Sequence, residues 1–133
     1  MLSLKKYKVI VYAISKNEEK FVDRWYNSMK EADQIYVLDT GSNDNTVSKL
    51  KKHGVKVKQK VIKPWRFDVA RNKSLEMVDS DADICICTDL DEVLLPGWRD
   101  ELEKAWQKDA TRARYNYNWS LDDNNKPLVN FYT

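Results

Sequence analysis

Apolar residues are spaced along this chain as alternating strands and helices. Tyr7 to Ile14, "YKVIVYAI", is an almost continuous β-branched and aromatic run, which predicts a central strand of a parallel sheet. Asn17 stands where a helix cap would, and Phe21, Val22, Trp25 and Met29 then fall on one helical face. "QIYVL", Gln34 to Leu38, predicts a second strand, followed by the turn "DTGSNDNT". A shorter helix carries Val47 and Leu50, with Gly54 placed as a C-terminal glycine. Val55, Val57 and Val61 alternate with Lys56, Lys58 and Lys60, so the third strand is expected to be half exposed.

The loop "KPWRFD" precedes a helix over Asp68 to Val78, and Ile84 to Thr88 predicts a buried fourth strand. Pro96 is expected in the first turn of a helix that turns Trp98, Leu102, Ala105 and Trp106 inward. Near the end, Ala113, Tyr115, Tyr117 and Trp119 alternate with Arg114, Asn116 and Asn118. After "DDNNKP", the segment "LVNFY" is expected to pair back as a hairpin. Strand–helix alternation with short connections predicts right-handed crossovers and a mainly parallel sheet with helices on both faces.

Such sheets bind ligands beyond the carboxyl ends of their strands. The polar residues there are Ser15, Lys16 and Asn17 after the first strand and Asp39 and Thr40 after the second. Asp89, Asp91 and Glu92 follow the fourth. Distant segments of sequence therefore converge on one edge, and the acids belong to a cleft.

Composition narrows the classes. Charged residues make up 33% and hydrophobic ones 42% of the 133 residues, an ordinary balance for one globular domain. A net charge of +2 is too small to argue for nucleic acid, and no nucleic-acid partner is expected. Lys49, Lys51, Lys52, Lys56, Lys58, Lys60 and Lys63 crowd one region, read as a solvated edge that discourages strand pairing. Cys85 and Cys87 are too close in one strand for a disulfide. With His53 the lone histidine no zinc set is available, so the thiols are expected to be buried and reduced in the cytosol. No apolar run is long enough for a transmembrane segment, and no export signal is seen.

Clustered carboxylates at a strand end need a positive partner. Asp89 and Asp91 are i and i+2, so in extended backbone they point the same way about 7 Å apart, at ~3.3 Å per residue. A divalent cation removes the repulsion, and hard oxygen ligands suit Mg²⁺ or Mn²⁺ with substrate phosphates completing the shell. The plainer reading places the same acids at a helix N-terminus, where the dipole favours them. No P-loop and no G-x-G-x-x-G turn occurs, so phosphate would fall to metal and a basic side chain. Arg71 is the candidate, its plainer role being a surface pair with Asp68 at i−3.

Four segments in order, "AISKNEE", "VLDTGSNDNT", "FDVARNKSL" and "CTDLDEVL", closely resemble the family 2 glycosyltransferases, over about residues 7 to 106. The resemblance implies a Rossmann-like GT-A sheet, mainly parallel, with a C-terminal hairpin. It implies one nucleotide-sugar-binding domain over 1–133, with an α/β core at 1–108 and a β tail at 109–133 leading toward an acceptor half. By resemblance, Ser15, Asn17 and Glu18 border the nucleotide and Asp39 binds base or ribose. Many relatives carry a second Asp where this chain has Thr40. Arg71 and Asn72 line the nucleotide and diphosphate. Asp89 faces ribose or metal water, Asp91 ligates Mn²⁺ or Mg²⁺, and Glu92 orients the loop.

The implied reaction transfers a sugar from a nucleoside-diphosphate sugar to an acceptor hydroxyl on a sugar, lipid or protein, with inversion. The implied location is the cytosol, or the inner face of the membrane. In relatives the general base lies downstream of the D-x-D, so it is expected beyond residue 133, and Asp122 and Asp123 read as a hairpin turn. The alternatives are a nucleotide-sugar binding module without transfer, and a nucleotidyltransferase. The latter is disfavoured because "AISKNEE" has no glycine.

Overall fold

The computed structural model describes residues 7–106 and the backbone of 114–115 and 131–132. They fall into two compact units, Tyr7–Val93 and a second that begins at Leu94. The first unit runs β1 (Val9–Ser15), α1 (Glu19–Met29), β2 (Gln34–Asp39), α2 (Thr46–Lys52), β3 (Lys56–Gln59), α3 (Phe67–Glu76) and β4 (Ile84–Asp89). Its four strands are all parallel, in the order β3-β2-β1-β4. From β1 the chain steps outward through β2 to β3, then crosses back to place β4 on the other side of β1. Right-handed crossovers put α1 and α2 together on one face and α3 on the other, packed on β1 and β2. The strand order therefore reverses between β1 and β4, where a parallel sheet opens a crevice.

The core forms where the sequence pattern places it. Val9, Ile10, Val11 and Ala13 of β1 are fully buried, as are Val22, Trp25 and Met29 of α1 at three- and four-residue spacing. Each such aliphatic or aromatic side chain contributes about 1.5–3 kcal/mol on burial. Trp25 also satisfies its polar edge, donating from Nε1 to Thr88 Oγ1 at 2.9 Å. Gly54 follows α2 with φ 88°, the left-handed conformation that glycine adopts without strain.

Several expectations need correction. Asn17 is not a helix cap: Glu18 holds that position with no side-chain capping bond, and Asn17 adopts φ 54°. The third strand ends at Gln59, so Val61 lies in the following loop, 57% exposed. The strand carrying the cysteines lies at the sheet edge among the described residues, and its side chains alternate between buried and exposed. Cys85 is consequently exposed and Cys87 half-buried, because an apolar run has the same sequence appearance at an edge as in the centre.

The second unit contains α4 (Trp98–Ala105) and an antiparallel pair, β5 (Arg114–Tyr115) with β6 (Phe131–Tyr132). Pro96 does not open α4. Gly97 is its cap with φ 87° and ψ 4°, the third-position geometry of a type II turn that favours proline before it. Trp98 and Leu102 are buried, and Ala105 and Trp106 are half-buried. Arg99 is buried as well, paired with Glu103 at 3.5 Å. The β5–β6 backbone agrees with the expected hairpin. The side-chain alternation from Ala113 to Trp119, and Asp122 and Asp123, lie outside the described residues.

Candidate functional site

The carboxyl ends of the strands share one level. Ser15 registers beside Asp39, and Ile14 beside Asp89. Above them lies a cleft of about 630 Å³, whose walls include Ser15 at the end of β1 and Glu18 after it, Thr40 after β2, Trp65 before α3 and Phe67 at its start, and Asp89 at the end of β4.

The two motif loops after β1 and β2 are sewn together. Asn17 receives Asn43 N–H on its Oδ1 at 2.6 Å, and its own N–H donates to Ser42 Oγ at 2.8 Å. Glu18 N–H donates to Thr46 Oγ1 at 2.9 Å, and Thr40 Oγ1 donates to the Ser15 carbonyl at 3.1 Å. Asp39 is the centre of this clasp. It is fully buried and accepts from the Ser15 hydroxyl at 2.9 Å and the Ser42 hydroxyl at 2.5 Å. It also accepts the N–H groups of Gly41 and Ser42, at 3.0 and 2.8 Å. Two carboxylate oxygens offer about four acceptor sites, so Asp39 has none to spare.

The end of β4 is built differently. Asp89 and Asp91 are exposed, and Glu92 folds back so that its Oε1 accepts the Asp89 N–H at 2.8 Å, closing the acidic turn. Arg71 reaches across from α3, donating to Asp89 Oδ1 at 3.2 Å and to Cys87 Sγ at 2.6 Å, with its guanidinium 4.7 Å from the Phe67 ring centre. The expected surface pair with Asp68 does not form, because Asp68 binds Arg66 instead. Arg71 is thus the positive partner of Asp89. Asp91 itself is held through its carbonyl by Arg24 at 3.1 Å. Asn72 is exposed on α3 and does not line the cleft.

One cation does not offset all of this charge. Burial, then the charges of Asp91 and Asp89, push the Glu18 carboxyl up to about 7. Glu92 is raised as well, first by burial and then by the same two acids, although the Asp89 N–H pulls it down. Among the described residues no three His, Cys, Asp or Glu side chains converge to hold a metal on their own. The donor set fits a hard cation bound by one or two carboxylates, with ligand oxygens supplying the rest. Sequence reasoning passed over Trp65 and Phe67. The signal available was two large aromatics, Trp65 and Phe67, flanking Arg66 just where α3 begins.

A sequence model described as Glycosyl transferase family 2 matches residues 10–130. The chain belongs to glycosyl transferase family 2. Uncharacterized glycosyltransferases of Rickettsia conorii and Rickettsia bellii are 37% and 35% identical over 97 residues, 72% of this chain. Those alignments span 33% and 32% of the relatives, so the chain covers about a third of their length. Among solved structures, a Pyrobaculum calidifontis mannosyltransferase in complex with GDP-Man and Mn²⁺ superposes with a TM-score of 0.64. It is 22% identical over 80% of this chain and 34% of that one. Glucosyl-3-phosphoglycerate synthase of Mycobacterium tuberculosis, with Mn²⁺ and UDP-glucose, gives 0.55 at 23% identity, over 66% of this chain and 34% of that one. These likenesses establish the GT-A type of α/β fold for this family 2 chain. Among its described residues, no helix is long and apolar enough to cross a membrane.

Proposed function

We propose that this chain binds a nucleoside-diphosphate sugar across the strand ends and serves sugar transfer to an acceptor hydroxyl. The observation that carries the reading is the β4 end, where Arg71 pairs with exposed Asp89, and exposed Asp91 follows, beside a half-buried Glu18 pushed up to about 7. Acids left short of counter-charge at the crevice of a parallel sheet suit a cation-bearing anionic ligand. Family membership, and relatives of this fold crystallised with nucleotide sugars and Mn²⁺, support the same assignment.

In this reading Asp91, with Asp89, would hold Mn²⁺ or Mg²⁺, which when bound supplies Lewis-acid stabilisation to a departing diphosphate. Arg71 turns its guanidinium from Asp89 to the phosphate oxygens, a bidentate match that a lysine could not make. Phe67, which lines the cleft, lies against that guanidinium. Glu92 fixes the backbone between the two aspartates, and the clasp of Ser15, Asn17 and Asp39 keeps the floor rigid, so binding requires little reordering. Asn72, exposed beside Arg71, is assigned to the diphosphate from the family pattern. Inversion at the anomeric carbon, and a carboxylate base within about 2.6–3.2 Å of the acceptor hydroxyl, complete the family chemistry. The acceptor is a sugar, lipid or protein hydroxyl, and the place of action is the cytosol or the inner membrane face.

A second reading is a donor-binding module without transfer, which would use the same cleft and the same acids. Calorimetric titration with UDP-glucose and GDP-mannose, with and without Mn²⁺, tests the first step that both readings share. Metal-dependent binding is expected, and absence of binding with metal present would sink them both. Release of nucleoside diphosphate in the presence of an acceptor separates the two.

A further inference from the structure

We infer that the loop after β3 holds the planar base of the donor by stacking on Trp65, which fixes the direction of the nucleotide across the sheet. This rests on the donor reading above. Five large apolar side chains are exposed among the described residues, and three of them line the cleft: Val61 and Trp65 in this loop and Phe67 where α3 begins. Phe67 lies beneath the Arg71 guanidinium. Trp65 is different. It is 54% exposed, and no other described aromatic ring stacks on it.

The wall is anchored where it begins. Lys60 N–H donates to the Asp39 carbonyl at 2.8 Å, and Val61 Cγ2 lies 3.7 Å from where a side chain on Gly41 would start. Gly41 has φ 126°, so the tight turn after β2 and the loop after β3 close on each other. The aromatic face is therefore held against the rim of the cleft.

Charge is graded along the cleft. Both lining carboxylates, Glu18 and Asp89, lie at the β1 and β4 side together with Lys16, whereas Val61, Ile62, Lys63 and Trp65 line the β3 side without a carboxylate. Three strand spacings of ~4.8 Å separate β3 from β4, about 14 Å, comparable to an extended nucleoside diphosphate. An apolar, aromatic end and an acidic, cation-ready end match the two halves of that molecule. The alternative holder of the base, Asp39, is buried with its four acceptor sites already taken. The base is accordingly held through its π face, a contact that every base can make.

The test measures UDP, GDP and plain pyrophosphate, each with Mn²⁺, against the unaltered chain, Trp65→Ala and Trp65→Phe. Trp65→Ala is expected to weaken both nucleotides by about 5- to 150-fold while pyrophosphate binds as before. Trp65→Phe should recover most of the loss. Unchanged nucleotide affinity in Trp65→Ala, or an equal loss for pyrophosphate, overturns the stacking assignment and leaves the donor reading intact. If the unaltered chain binds neither the nucleotides nor pyrophosphate, the donor reading fails and the inference falls with it.

Discussion

Two strands of this sheet end in aspartate, and the two ends do opposite work. At β2, Asp39 is fully buried and meets four donors, so its charge is consumed in tying the β1 and β2 loops together. At β4, Asp89 and Asp91 are exposed, the Arg71 guanidinium pairs with Asp89, and both acids help hold Glu18 near 7. Residue type does not separate these cases. The difference is donor supply: the glycine and serine after Asp39 turn their N–H groups back onto it, whereas the acidic turn after Asp89 adds further carboxylates. A saturated carboxylate is structural, and an undersupplied one is available to a ligand.

That contrast can be broken at either end. The largest effect is expected from Asp39→Ala, which strands buried donors and should cost about 3 kcal/mol or more, seen as a lower thermal midpoint. Asp91→Ala should leave stability within about 0.5 kcal/mol yet weaken metal–nucleotide binding by more than about tenfold. The pH dependence is smaller and has a definite sign. Glu18 titrates near 7 in the fold against an ordinary 4.5, so between those values the unfolded chain loses the proton first. Stability should fall as pH rises through that window and level off above it. Glu18→Gln should reduce this fall, leaving the part that the raised Glu92 contributes, and Asp91→Asn should lower the Glu18 midpoint in an NMR titration. The smallest effect belongs to Cys85→Ser, an exposed edge position, where chemical denaturation should move by less than about 0.5 kcal/mol.

Much of the architecture was legible because burial follows period. The continuous run of β1, the helical stripe of Val22, Trp25 and Met29, and the acids after β4 all emerged where the pattern predicted them. Edge position was not legible, since "ICIC" looks the same in a central strand, and Cys85 proved exposed. Nor was partnership. Asn17 was expected to cap a helix and instead bridges to Ser42 and Asn43, 25 and 26 residues away, a contact set by strand register. Arg71 was legible as a phosphate-binding candidate, but its link to Asp89 needed the crossover between β3 and β4 that lays α3 across the sheet. The perturbed Glu18 needed the adjacency of β1 and β4, which strand order alone supplies.

The account turns on whether the undersupplied acids of β4 bind a cation together with a nucleotide. Counting free Mn²⁺ by electron paramagnetic resonance, with GDP or UDP present, measures this directly. Stoichiometric uptake by the unaltered chain, lost in a folded Asp91→Ala variant, is the predicted result. Equal uptake by both chains would contradict it.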